Sequence, residues 1–133
     1  MEGFAENSLK GLKILLVEDN LVNQQLTGSI LKKWGVIVDY AENGKTALSE
    51  IEAGNYDLVL MDINMPEMDG FDTTLAVRSM QGEKFQNLPI FALTRIDTPE
   101  YLDEIHACGM NGYIPGKPLD VERLYRKIKQ FLK

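Results

Sequence analysis

The chain has 133 residues, 44% of them hydrophobic and 26% charged, which suits one globular domain able to bury roughly two-thirds of its unfolded surface. Its 14 basic and 20 acidic side chains leave a net charge of −6, which argues against a nucleic-acid-binding face. No apolar run approaches the roughly 18 residues of a membrane-spanning helix, and there is no signal-peptide core, so no membrane contact is expected from this segment. The single cysteine, Cys108, cannot form an internal disulfide and fits a reducing, cytoplasmic setting, including the cytoplasmic part of a membrane-bound parent.

Residues 1–10 read as a loosely ordered lead-in, and 11–133 as the domain. Residues 14–17 form an unbroken apolar run, the pattern of a strand buried on both faces. Val22, Leu26, Ile30 and Trp34 then recur every four residues, which predicts one inward stripe on a helix stopping at Gly35. Val36-Ile37-Val38 is the second predicted strand. Asn43-Gly44 leads into a helix with Ala47, Leu48 and Ile51 inward, ended by Gly54-Asn55. The third strand is 58–61, followed by a loop with Pro66 and Asp69-Gly70 and a helix burying Phe71, Leu75 and Ala76.

The fourth strand is predicted over 88–93, with Pro89 near its start. Asp97-Thr98-Pro99-Glu100 is a helix start, with a polar cap and a proline for the first turn, and that helix should end near Gly109. A fifth strand covers about 111–114, and a last helix buries Val121, Leu124, Ile128 and Leu132. Five strands alternating with five helices imply a parallel sheet covered on both faces.

The apolar runs share a feature: each is closed by polar groups. Glu18-Asp19 follow the first run, Asp62 the third and Thr94 the fourth, and Lys117 comes shortly after Gly112-Tyr113-Ile114. Right-handed crossovers point every strand's carboxyl end the same way, so these residues gather at one edge, where open α/β folds place their ligands. Crowded carboxylates repel, so one keeps a proton or a cation sits among them. A hard, oxygen-rich site suits Mg²⁺ or Mn²⁺. A polarised carboxylate facing a hydroxyl and an ammonium can attack phosphorus to give an aspartyl phosphate. Phosphoryl transfer asks little more of a protein than positioning and charge neutralisation.

Alone, each residue has a plainer use. Acidic pairs cap helices, Asp62 suits a turn, a threonine satisfies backbone groups, and Lys117-Pro118 is an ordinary surface dipeptide. Together the stretches Val17-Glu18-Asp19-Asn20, Met61-Asp62-Ile63-Asn64-Met65-Pro66-Glu67-Met68-Asp69-Gly70, Ala92-Leu93-Thr94 and Lys117-Pro118-Leu119 closely resemble the receiver domain of two-component response regulators. The resemblance covers about residues 12–132, and Glu18 to Gln24 look most like receivers attached to hybrid sensor histidine kinases.

The resemblance implies a flavodoxin-like three-layer α/β/α fold with strand order 2-1-3-4-5. It implies Asp62 as phosphoacceptor, with Glu18, Asp19, Asp62 and the backbone carbonyl of Asn64 around Mg²⁺. Asp19 would bind the ion directly and Glu18 through water. Thr94 would hydrogen-bond the phosphoryl group, Lys117 would pair with its charge, and Tyr113 would be the switch aromatic that swings inward as Thr94 moves. The phosphoryl donor would be a histidine kinase or a histidine phosphotransfer protein. A receiver of this kind catalyses its own phosphorylation and dephosphorylation, and a parent chain would be a hybrid histidine kinase.

Two departures stand out. Ile114-Pro115-Gly116 places three residues between Tyr113 and Lys117, where the family has two, and Arg95 stands where the family has a small residue. Arg95 is therefore a candidate modulator, pairing with phosphate or carboxylates or else pointing to solvent. These departures motivate an alternative, a non-phosphorylated pseudo-receiver acting as an interaction module. An aspartyl phosphatase of the haloacid-dehalogenase type needs a second Asp two residues after the nucleophile, where Asn64 stands. FMN phosphate would be repelled by the carboxylates unless a metal intervened. Dimerisation is open from sequence.

Overall fold

The computed structural model of the chain describes residues 7–95, 98–115 and 119–131. The elements run β1 (Lys13–Val17), α1 (Leu21–Lys33), β2 (Ile37–Ala41), α2 (Gly44–Ala53), β3 (Leu58–Asp62), α3 (Gly70–Ser79), α4 (Glu83–Asn87), β4 (Ile90–Thr94), α5 (Pro99–Ala107), β5 (Gly112–Pro115) and α6 (Val121–Phe131). All strand pairs are parallel, in the order β2-β1-β3-β4-β5, the flavodoxin-like order expected from the resemblance. Strands β1, β3 and β4 lie inside the sheet with both faces covered, which is why their sequences are continuous apolar runs.

Alternate strand residues feed two cores. On one face Leu15, Val59, Met61, Ile90 and Ala92 pack against α2, α3 and α5, through Ile51, Val77 and Ile105. On the other, Ile14, Leu16, Leu60, Phe91 and Leu93 meet α1 and α6, through Leu31, Leu124 and Ile128. Among the described residues no helix is long and apolar enough to cross a membrane.

Several expectations change. The stripe on α1 is misplaced, since Val22 is 64% and Leu26 61% exposed, and the inward face carries Gln24, Thr27, Gly28 and Leu31. Close approach decides this: the space a Cβ would need at Gly28 is filled by the Tyr40 hydroxyl, so the sheet accepts the small residues. Only Trp34 and, in part, Ile30 of the expected stripe turn inward. Leu75 is likewise exposed, and α3 buries Thr73, Thr74 and Val77 instead. The Thr73 hydroxyl is satisfied by donating to the Asp69 carbonyl at 2.8 Å.

Strand β2 begins and ends later than expected and includes Asp39 and Tyr40, because an edge strand need not be apolar on both faces. Leu88 and Pro89 precede β4 rather than join it; Pro89 has no N–H to give, but its carbonyl accepts from Val59 N–H at 2.8 Å. Helix α4 was not expected: it is five residues long and buries none of them.

Of the expected lead-in 1–10, residues 1–6 lie outside the described residues. Asn7 and Leu9 N–H donate to the Lys33 and Trp34 carbonyls, and Leu9 is buried. Leu132 and Asp97, expected in the last helix and before α5, also lie outside the described residues.

Candidate functional site

Register builds the site. Val17 pairs with Met61, so Glu18 emerges beside Asp62. Asp62 pairs with Leu93, so Thr94 stands one residue beyond it on the next strand. Four helices start at this same edge with side-chain caps: Asn20, Asn43, Asp69 and Thr98 accept from Asn23, Thr46, Asp72 and Tyr101 N–H, respectively. The capped starts of α1 and α3 hold the loops that carry the carboxylates.

Glu18, Asp19 and Asp62 each present a carboxylate oxygen within 4.8 Å of the others. The sequence expectation that acids from separate strands converge here is met in geometry. Glu18 and Asp62 are 3% and 1% exposed, whereas Asp19 is exposed and open to incoming groups. Burying two carboxylates against a third is costly unless charge or donors compensate. Some donors are present: Asn64 N–H donates to Asp62 Oδ1 at 3.3 Å, and Asn20 N–H to Glu18 Oε2 at 3.2 Å. The carboxylate-only donor set is hard, the chemistry that suits a small divalent cation.

Gln24, part of the stretch that carries the resemblance but given no role of its own from sequence, is buried and donates from Nε2 to the Glu18 carbonyl at 2.6 Å. It fastens the acidic turn onto α1. Its position one turn after the Asn20 cap was the available signal. Gly70 was read only as part of a turn, yet a Cβ there would lie 2.7 Å from the Asp62 carbonyl oxygen. Glycine at that point lets α3 start against the end of β3. Met61 and Met65 are buried beside the acidic loop, where a flexible thioether fills irregular gaps.

Thr94 ends β4, is buried, and lies beside the side chain of Tyr101. Tyr101 too was missed. Burial pushes its phenol above the ordinary value, the Thr94 hydroxyl beside it pulls it down, and the charges of Glu104, Asp69 and Asp62 push it up again. Tyr113 sits on β5 opposite Ala92, half-buried, on the same sheet face as Tyr101. Arg95 is exposed and follows Thr94 directly. Lys117 lies outside the described residues.

Comparison with known proteins agrees with this picture. A family model described as the response regulator receiver domain matches residues 14–129. A probable histidine kinase 4 of Oryza sativa subsp. japonica is 37% identical over 143 aligned positions, covering 93% of this chain and 14% of that protein. The chain thus spans about a seventh of the length of that relative. Among solved structures, the receiver domain of the sensor histidine kinase PA1611 from Pseudomonas aeruginosa PAO1, with magnesium in its active-site cleft, is 34% identical. It superposes with a TM-score of 0.82, over 91% of this chain and 97% of that one. The receiver domain of Ssk1, in complex with the histidine phosphotransfer protein Ypd1 of Saccharomyces cerevisiae, is 27% identical, with a TM-score of 0.81 over 90% and 88% of the two chains. Matched from its first strand to its last helix, the chain belongs to the response regulator receiver domain family.

Proposed function

We propose that Asp62 accepts a phosphoryl group from a phosphohistidine, borne by a histidine kinase or a histidine phosphotransfer protein. The observation that carries this reading is the meeting of Glu18, Asp19 and Asp62 within 4.8 Å at the ends of adjacent strands. In the transfer an Asp62 carboxylate oxygen forms the new P–O bond as the P–N bond to the donor ring breaks. The electron pair returns to that nitrogen, and, with the other ring nitrogen of the donor protonated, a neutral imidazole leaves. Thr94 donates its hydroxyl proton to a phosphoryl oxygen, the Lys117 ammonium pairs with the phosphoryl charge, and Tyr113 fills the space that Thr94 leaves. Arg95 modulates access from the rim.

The donor set fits Mg²⁺, with Mn²⁺ as a substitute; Asp19, Asp62 and the Asn64 backbone carbonyl would hold it directly, and Glu18 through water. When bound, the ion supplies the positive charge that offsets the crowded carboxylates and the incoming phosphate. The magnesium in the cleft of the PA1611 receiver supports this assignment by likeness.

The phosphohistidine partner docks on the outer face of α1. Leu21, Val22 and Leu26 are large, apolar and exposed there, beginning two residues after Asp19. A partner seated on them brings its histidine over Asp62, and the Ypd1–Ssk1 complex shows that such partners engage receivers. By the same reading the domain works in the cytoplasm as the receiver portion of a hybrid histidine kinase, a setting that suits the free thiol of Cys108.

The test is incorporation of acid-stable, base-labile phosphate from a small-molecule phosphodonor. Wild type should label only with Mg²⁺ present, and Asp62→Ala should not label. Equal labelling of the two proteins would remove Asp62 as acceptor.

A further inference from the structure

Arg78 stands in the last turn of α3, half-buried, and among the described residues it forms no ion pair. Its partners are three oxygens from three other parts of the chain. Nε donates to the Gly109 carbonyl at 3.0 Å, Nη1 to the Phe85 carbonyl at 2.6 Å, and Nη2 to Asn111 Oδ1 at 3.2 Å. Gly109 directly follows Cys108, the C-cap of α5, and Phe85 lies in α4. The negative ends of the α3 and α5 dipoles thus meet near the guanidinium, which stabilises its charge without a carboxylate. A lysine ammonium could not serve all three oxygens, because only the planar fork aims separate donors at separate acceptors.

The bridge is itself tied to the sheet. Asn111 Oδ1 also accepts from Ile90 N–H at 2.9 Å, and Asn111 N–H donates to the Ile90 carbonyl at 2.8 Å, at the first residue of β4. Gly109 has φ +104°, and a Cβ on it would lie 2.9 Å from Arg78 Cγ, so the arginine stem packs directly against the turn. The start of α5 is held more lightly. There Tyr101 N–H meets the Thr98 hydroxyl at 3.3 Å, and the Tyr101 ring touches Phe71 edge-on, centroids 5.5 Å apart. Helix α5 joins the end of β4, where Thr94 stands, to the start of β5, which carries Tyr113.

We propose that Arg78 is the pin of a hinge: it fixes the C-terminal end of α5 to α3, α4 and the sheet, so that a change at the acidic edge moves the start of α5 and stops short of Gly109. Phosphorylation then tilts α5 about its far end instead of displacing it whole, and the surface that changes is its first turn. The pin is a property of the resting fold. The tilt rests on the phosphoacceptor reading of Asp62.

Amide hydrogen exchange tests both halves, first in the resting protein and then with Mg²⁺ and beryllofluoride, a phosphoryl mimic. Leu102 N–H donates to the Thr98 carbonyl in the first turn of α5, and Met110 N–H to the Ile105 carbonyl beyond its end. In resting wild type, protection of Leu102 should be at least about tenfold below that of Met110. Arg78→Lys keeps a charge at the helix ends but not the three-way bridge. It should lower protection of Met110 about tenfold, the worth of one lost charged hydrogen bond. Leu102 should not change, because fraying of the first turn leaves the arginine's bonds intact. With beryllofluoride, amide shifts should move at Leu102 and stay fixed at Met110 in wild type, and should reach Met110 in the variant. Equal protection of Leu102 and Met110 in resting wild type overturns the pin, whether or not the variant folds. Ligand shifts in wild type as large at Met110 as at Leu102 overturn the tilt while leaving Asp62 as acceptor. If wild type does not bind beryllofluoride, the phosphoacceptor reading falls and the tilt with it, and the resting exchange pattern still decides the pin.

Discussion

Gly70 packs so tightly under the end of β3 that a Cβ on it would sit 2.7 Å from the Asp62 carbonyl oxygen and 2.9 Å from Ile63 Cα. Both neighbours are backbone, so neither can step aside as a side-chain tip would. Gly70 N–H also donates to the Ile63 carbonyl at 2.9 Å, locking the helix start to the strand end. Gly70→Ala should therefore cost about 1–3 kcal/mol of stability in urea unfolding, the usual scale of overpacking. It should also slow phosphorylation from a small-molecule donor, because relief of the clash moves Asp62. Unchanged stability and rate would show that the strand end yields easily.

Gln24→Leu removes the amide that serves the Glu18 carbonyl while keeping the volume of the side chain. The expected loss is about 1–2 kcal/mol, the cost of taking a partner from a buried polar group. Mg²⁺ affinity, read by titration of amide shifts, should weaken in the same variant, since the acidic turn is then less firmly held on α1. A stability loss with unaltered Mg²⁺ affinity would confine Gln24 to a packing role.

Leu26→Glu places a charge on the exposed face of α1 without disturbing the core. Stability should stay within about 0.5 kcal/mol, as for most surface changes. Phosphotransfer from a phosphorylated histidine partner should slow relative to labelling by a small-molecule donor, which needs no docking. If both rates fall together, the defect lies in the site and not in docking.

Cys108 is buried, and its thiol donates to the Ile105 carbonyl at 3.2 Å. Burial pushes its pKa above the ordinary thiol value of 9.0, so the thiolate that alkylating agents need is suppressed. Because the folded value is raised, the stability linked to this group is full below pH 9.0 and is lost as pH rises through the folded value. Iodoacetamide should react slowly with native protein in mildly alkaline buffer and quickly in urea. Rapid native labelling would mean that α5 opens readily.

The acidic edge was legible because apolar runs stop at the polar residues that matter, and parallel topology alone brings Glu18, Asp19, Asp62 and Thr94 together. The inward face of α1 was not. A spacing of four picked out Val22 and Leu26, but the face that meets the sheet is set by fit: Gly28 admits the Tyr40 hydroxyl, and Gln24 serves the Glu18 carbonyl. Hydrophobicity does not encode either job. Helix α4 escaped because five residues, none of them fully buried, carry no periodic signal. Tyr101 escaped because its meeting with Thr94 exists only once the capped start of α5 folds back beside the end of β4.

The central claim is most directly tested by reductive trapping. Borohydride converts an aspartyl phosphate to homoserine, and peptide mapping then locates the residue. After reaction with a phosphodonor and Mg²⁺, homoserine should appear at position 62 and nowhere else. Homoserine at position 19 or 69, or none in protein that has demonstrably taken up phosphate, would contradict the account.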